Sequence, residues 1–201
     1  MLKIFKYTLL IIPIVLVSCA KKDEDSSSST TTYASSASGA TASGSITLGN
    51  YSISGTYATV CFSASDSSAP TDATHIGFVA VVTGNDNYTL ETNYYTDSTC
   101  TADTLSLGSY SNMDNVTDQG PTASDSTANE KVTYTEVNQT FMAKTTEGDT
   151  FITGLWSAYS IDFEVGTAKV LDTGFFNYNL IQVSDGSLYF GTEQSTSAYP
   201  S

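Results

Sequence analysis

From residue 55 to residue 191 apolar side chains recur at every second position far more often than at every third or fourth. That periodicity makes the β-strand the building element of the chain. Ala58, Val60 and Phe62 oppose Tyr57, Thr59 and Cys61, and Ile76, Phe78, Ala80 and Val82 oppose Gly77, Val79 and Val81. Tyr88, Leu90, Thr92 and Tyr94 oppose Thr89, Glu91, Asn93 and Tyr95 in the same way. Further strands are predicted over residues 104–110, 131–137, 140–144, 150–156 and 168–176, and over 179–183 and 187–191. This last pair flanks Ser184-Asp185-Gly186, where glycine accepts the positive φ of a short hairpin turn. No segment reads as a capped amphipathic helix of three turns. About nine short strands rich in β-branched and aromatic residues predict an all-β domain of about 8–10 strands, either a single antiparallel β-barrel or a β-sandwich.

The N-terminus follows a different rule. Lys3 and Lys6 precede an apolar run from Tyr7 to Val17, and Lys21, Lys22, Asp23, Glu24 and Asp25 follow it closely. A run of about eleven residues is too short to span a bilayer, which takes roughly twenty, so residues 1–18 read as a signal peptide. Leu16-Val17-Ser18-Cys19 resembles the lipobox of bacterial lipoproteins. The resemblance implies that Cys19 is acylated and becomes the first residue of the mature chain. Two or more acyl chains hold a protein stably on a membrane without spanning it. Ala20, where many inner-membrane lipoproteins have Asp, points to the outer membrane, facing the periplasm or exposed at the cell surface.

Residues 19–45 are then the acylated cysteine and a Ser/Thr-rich tether. From Asp23 to Ser45 the composition offers too little apolar surface to offset the entropy of ordering, so the tether is expected to be disordered. Residues 46–201 form the β domain, long enough to enclose one core. Its 18 acidic residues face Lys131, Lys144 and Lys169 with no arginine, a net charge near −15. That balance excludes nucleic acid as a partner and opposes anionic head groups, since both are held by cationic side chains. With Cys19 set aside for lipid, Cys61 and Cys100 are the remaining thiols, and disulfides persist in an exported compartment. The two are predicted to pair, with free thiols as the alternative.

The motifs of sequence-legible catalysis are missing. His75 is the single histidine and opens a strand pattern; there is no Gly-x-Ser-x-Gly elbow, His-Glu-x-x-His, Cys-x-x-Cys, phosphate loop or dinucleotide fingerprint. No catalytic residue, metal ligand or cofactor is therefore predicted. Asp114, Asp118 and Asp125 in the stretch 111–129, and Asp86 in 84–87, lack EF-hand spacing and read as solvated loops. The stretch 111–129, taken as one long acidic loop, is the first candidate contact surface. Of 13 tyrosines most are explained by packing, but Tyr88, Tyr94, Tyr178 and Tyr189 with Trp156 are candidates to line a ligand cavity.

Gly55-Thr56-Tyr57 resembles a relaxed form of the Gly-x-Trp that opens lipocalin and avidin-like barrels, with Tyr in place of Trp and no arginine to pack over it. The positions of Cys61 and of Cys100 after Tyr94-Tyr95-Thr96-Asp97 are similar to those of small bacterial surface lipoproteins of unknown function. These resemblances imply architecture alone. Three functions remain open: a surface lipoprotein binding a protein or glycan, a lipocalin-like carrier of a small apolar ligand, and a hydrolase working through carboxylates.

Overall fold

Regular structure begins with a short hairpin, β1 (Ile46–Leu48) and β2 (Tyr51–Ile53), followed by two brief strands, β3 (Thr56–Ala58) and β4 (Phe62–Ser63). A meander of longer strands comes next: β5 (His75–Val82), β6 (Tyr88–Tyr95), β7 (Leu105–Pro121), β8 (Asn129–Ala143), β9 (Ala168–Ser184) and β10 (Ser187–Phe190). An α-helix, α1 (Thr146–Leu155), followed by a 3-10 turn over Ser157–Tyr159, lies between β8 and β9. The computed structural model describes residues 32–64, 68–121, 129–184, 186–190 and 198–199.

The larger sheet has the order β10-β9-β8-β7-β6-β5-β3, with β4 pairing the start of β5, and every pair is antiparallel. Its two edges come together through their side chains. Leu188 and Phe190 of β10 line the same small cavity as Tyr57 of β3 and Phe78 and Ala80 of β5, so the sheet rolls into a nearly closed barrel. The choice left open between barrel and sandwich resolves to the barrel, and Tyr57 of the Gly55-Thr56-Tyr57 start packs against its interior.

Alternation divides the strands between an inner and an outer face. Inside, Ala80, Val82, Tyr88, Met113, Val132, Tyr134, Ile181 and Leu188 pack together, each nearly or wholly shielded from water. Burying a side chain of this kind contributes roughly 1.5–3 kcal/mol. Ile46, Leu48 and Ile53 of the β1–β2 hairpin join this cluster, so the hairpin closes one end of the barrel. The other end is closed by α1, where Ile152, Phe151 and Trp156 meet Leu107, Phe141, Ala143 and Tyr94.

Several sequence expectations need correction. The strand expected over 150–156 is instead helix through Leu155, with Trp156 as its C-cap: Thr145 caps the start of α1 by accepting a hydrogen bond from the Gly148 N–H at 3.0 Å, and Glu147 and Asp149 sit in its positive first turn. The long acidic loop over 111–129 does not exist as such, because β7 continues through it to Pro121; residues 122–128 lie outside the described residues. The strands expected over 131–137 and 140–144 are one strand, β8, and those over 168–176 and 179–183 are one strand, β9. A bulge at Val137 breaks the alternation near the gap in β8, and the gap in β9 falls where the buried Asn177 and Asn179 interrupt its apolar positions. The Asp-Gly turn does join β9 to β10, with Ser184 opposite Ser187 and Gly186 at φ +76°; Asp185 lies outside the described residues.

The largest correction concerns the tether. Residues 32–45 run along the outside of the barrel as a strap over β5 and β6. Backbone hydrogen bonds join Ala34 to Thr59, Ser35 to Cys100, Cys61 to Thr32 and Ser43 to Val82. Side chains do the rest. Glu91, fully buried, accepts from Ser36 Oγ at 2.7 Å, Ser38 Oγ at 2.5 Å, the Ala37 N–H at 2.8 Å and Asn93 Nδ2 at 2.8 Å. The Tyr95 hydroxyl donates to the Ser35 carbonyl at 2.7 Å, and Ala34 packs on Val79, Val81 and Cys100. A segment of small polar residues is thus ordered by a buried carboxylate that it wraps.

Candidate functional site

Cys61 and Cys100 are bonded, with Cα atoms 6.2 Å apart. The bridge ties the segment after β3 to the loop after β6, beneath the start of the strap. Cys19 lies outside the described residues.

The five aromatics predicted to line one cavity do not converge. Tyr88 faces the barrel interior, edge-on to Tyr134 at 6.0 Å and stacked on Phe190 at 5.6 Å. Tyr94 faces inward at the α1 end, beside Phe151, and its hydroxyl donates to the Ser68 carbonyl at 3.3 Å. Trp156 ends α1 and packs on Phe141 and Tyr159. Tyr178 and Tyr189 stand on the outer face: Tyr178 pairs with Thr133, and Tyr189 with Gln182. Packing therefore accounts for Tyr88, Tyr94 and Trp156.

The cavity bounded by Tyr57, Phe78, Leu90, Leu188 and Phe190 measures about 10 Å³, the space of a single water molecule. Pockets for small organic ligands run to several hundred Å³.

The outer face of β8 and β9 carries a different arrangement. Phe176 lies edge-on to Tyr178 at 5.2 Å, and Tyr178 edge-on to Tyr199 at 5.1 Å. Lys131 Nζ stands 5.6 Å from the Tyr199 ring centroid, within cation–π reach. Phe176 remains 49% exposed, so a large apolar ring is left in water on this face, while its neighbour Phe175, 43% exposed, points to the opposite face of the strand. Val170, further along β9, is 54% exposed. Three edge-to-face aromatics and a cation form an amphipathic strip that can stack on sugar rings or on apolar and aromatic side chains. Of the predicted residues, Tyr178 belongs to this strip. Sequence reasoning missed Phe176, Tyr199 and Lys131; the consecutive Phe175-Phe176 pair, which alternation cannot bury on both sides, was the available signal.

Electrostatics at the buried polar groups is dominated by desolvation. Burial pushes the Tyr95 phenol up to about 12 and lifts those of Tyr88, Tyr110 and Tyr134 as well, so all stay neutral. Burial also raises the carboxyl of Glu136, opposed by a hydrogen bond from Ser111 Oγ at 2.8 Å. His75 opens β5 as expected, with Nδ1 2.9 Å from the Thr74 hydroxyl. Asp114 accepts from Asn87 Nδ2 and Asp118 from two backbone N–H groups, both from strand positions, and Asp125 lies outside the described residues. Among the described residues no three His, Cys, Asp or Glu side chains gather where a metal ion could sit.

Compared with known proteins, the chain matches no family model and no curated protein. The fold and the strip therefore stand as the description of its class: a nearly closed antiparallel barrel, disulfide-bonded, with an aromatic outer face.

Proposed function

We propose that the protein is a bacterial lipoprotein held in the cell envelope by acylated Cys19, most consistently at the outer membrane, and that its barrel is a non-catalytic binding module. Leu16-Val17-Ser18-Cys19 supports the anchor, and the Cys61–Cys100 bond suits an exported protein. The observation that carries the binding role is the exposed strip of Phe176, Tyr178 and Tyr199 beside Lys131. Its partner is a glycan or a protein that offers apolar faces to stack on.

The carrier reading is the weaker one, since the cavity between the barrel edges has room for about one water. Glu91, the most deeply buried acid among the described residues, lends no support to the hydrolase reading, since it is engaged by four donors of the chain itself. A glycan and peptide array probed with the full chain and with Phe176→Ser/Tyr178→Ser tests the proposal. Loss of signal in the double variant, with the melting temperature held, supports the strip; identical array profiles would remove it. Native mass spectrometry of purified protein separates the carrier reading, which requires a co-purified apolar ligand.

A further inference from the structure

The turn of the β1–β2 hairpin rests on two carboxylates. Glu130, 6% exposed, lies directly beneath Gly49: a Cβ at that glycine would collide with the Glu130 carboxyl, and Gly49 takes φ +56°. Asp118 is held at the same turn, its Oδ2 accepting from the Gly49 N–H at 2.7 Å and its Oδ1 from the Gly120 N–H at 2.8 Å. Glu130 Oε2 is buried and has no hydrogen-bond partner among the described residues. A buried acceptor oxygen left unpaired beside a second carboxylate is costly on both counts, and one bridging cation relieves both.

We infer that Glu130 and Asp118 form a calcium site under the β1–β2 turn. The donors are all carboxylate oxygens, which select a hard cation over a soft one. Calcium accepts irregular coordination, whereas magnesium demands a near-ideal octahedron. With two protein carboxylates and water completing the shell, affinity belongs at the weak end of the range for extracellular modules, on the order of 10⁻⁴–10⁻³ M. The chain's net charge of −14 raises the local cation concentration around this site. Occupancy would pin the hairpin that closes this end of the barrel. The inference is independent of the anchor and of the aromatic strip.

Thermal melting of the full chain in detergent, after treatment with EDTA, tests it. The melting temperature should rise by about 3 °C as calcium goes from zero to 10 mM, with potassium chloride at matched ionic strength giving no comparable rise. Glu130→Gln and Asp118→Asn should each abolish the rise, while Asp114→Asn, an acidic position on the same strand bonded to Asn87, should keep it. If Glu130→Gln fails to fold, Asp118→Asn carries the comparison, and equilibrium dialysis of the wild type with calcium should give one bound ion. The inference is overturned by a flat melting temperature in the wild type. An equal rise in Glu130→Gln would also overturn it, since that is general screening of a negative surface. So would a midpoint that responds to acid and not to calcium, the mark of a proton shared by the two carboxyls.

Discussion

Glu91 illustrates how much one side chain can organise. Its two oxygens accept from two serine hydroxyls, one backbone N–H and one amide, so truncation leaves four donors without a partner in a buried place. Glu91→Ala is expected to cost roughly 3–5 kcal/mol, read from urea denaturation, with the strap losing order first. A loss below 1 kcal/mol would mean that the strap contributes little. Gly49→Ala should destabilise by about 1–2 kcal/mol or more, because it puts a side chain at positive φ and against the Glu130 carboxyl. At Glu136 the sign of the pH effect follows from a carboxyl raised above its ordinary 4.5. The folded state holds the proton to higher pH than the unfolded state, so this group's contribution is full below the unfolded value and is lost as pH rises through the folded one. Urea midpoints at pH 4 and pH 7 should show Glu136→Gln gaining on the wild type at the higher pH. No change in the difference would contradict the assignment.

At the scale of elements, the strap and α1 are where sequence and structure part company. Thr145→Ala should cost about 1 kcal/mol through loss of the cap, and Gly148→Ala more, since a Cβ there meets the Ser106 carbonyl oxygen. Melting of both variants, with Thr153→Ala on the exposed side as control, checks the order. Residues 150–156 looked like a strand because Thr150, Ile152 and Thr153 are β-branched, whereas the helix is decided by a cap, an acidic first turn and tertiary packing of Ile152 and Trp156. The strands β5 and β6 were legible to within a residue, since their inner and outer positions alternate without interruption. Bulges hid the continuity of β7 and β8, and buried asparagines that of β9. The strap was illegible because its order comes from Glu91, more than fifty residues away, and not from its own Ser/Ala/Gly composition. Hydrogen exchange should find the Ala34, Ser35 and Ser43 amides protected to the same degree as those of β5; exchange at random-coil rates would return these residues to the tether.

The whole molecule reads as a proposed lipid anchor, a strap fastened along a barrel, and a barrel closed at one end by a hairpin and at the other by a helix. Period two foretold the all-β class, and the cysteine count foretold the Cys61–Cys100 bond. The aromatic strip was only half visible, because which of twelve tyrosines after the signal region stay in water is settled by the roll of the sheet. Reduction should destabilise the barrel by up to about 4 kcal/mol, the entropy of a loop spanning 39 positions, as read from urea midpoints with and without reductant. The strap also shortens the proposed leash: from Cys19 to residue 32 the chain can reach no further than about 45 Å even when fully extended, which keeps the barrel close to the lipid. The anchor is the claim on which location and function rest together. Membrane fractionation of cells expressing the wild type and Cys19→Ala tests it most directly, with intact mass of the membrane-bound form as the readout of acylation. The account predicts an acylated, membrane-bound wild type and a variant released to the soluble fraction; a Cys19→Ala protein that still sediments wholly with membranes contradicts it.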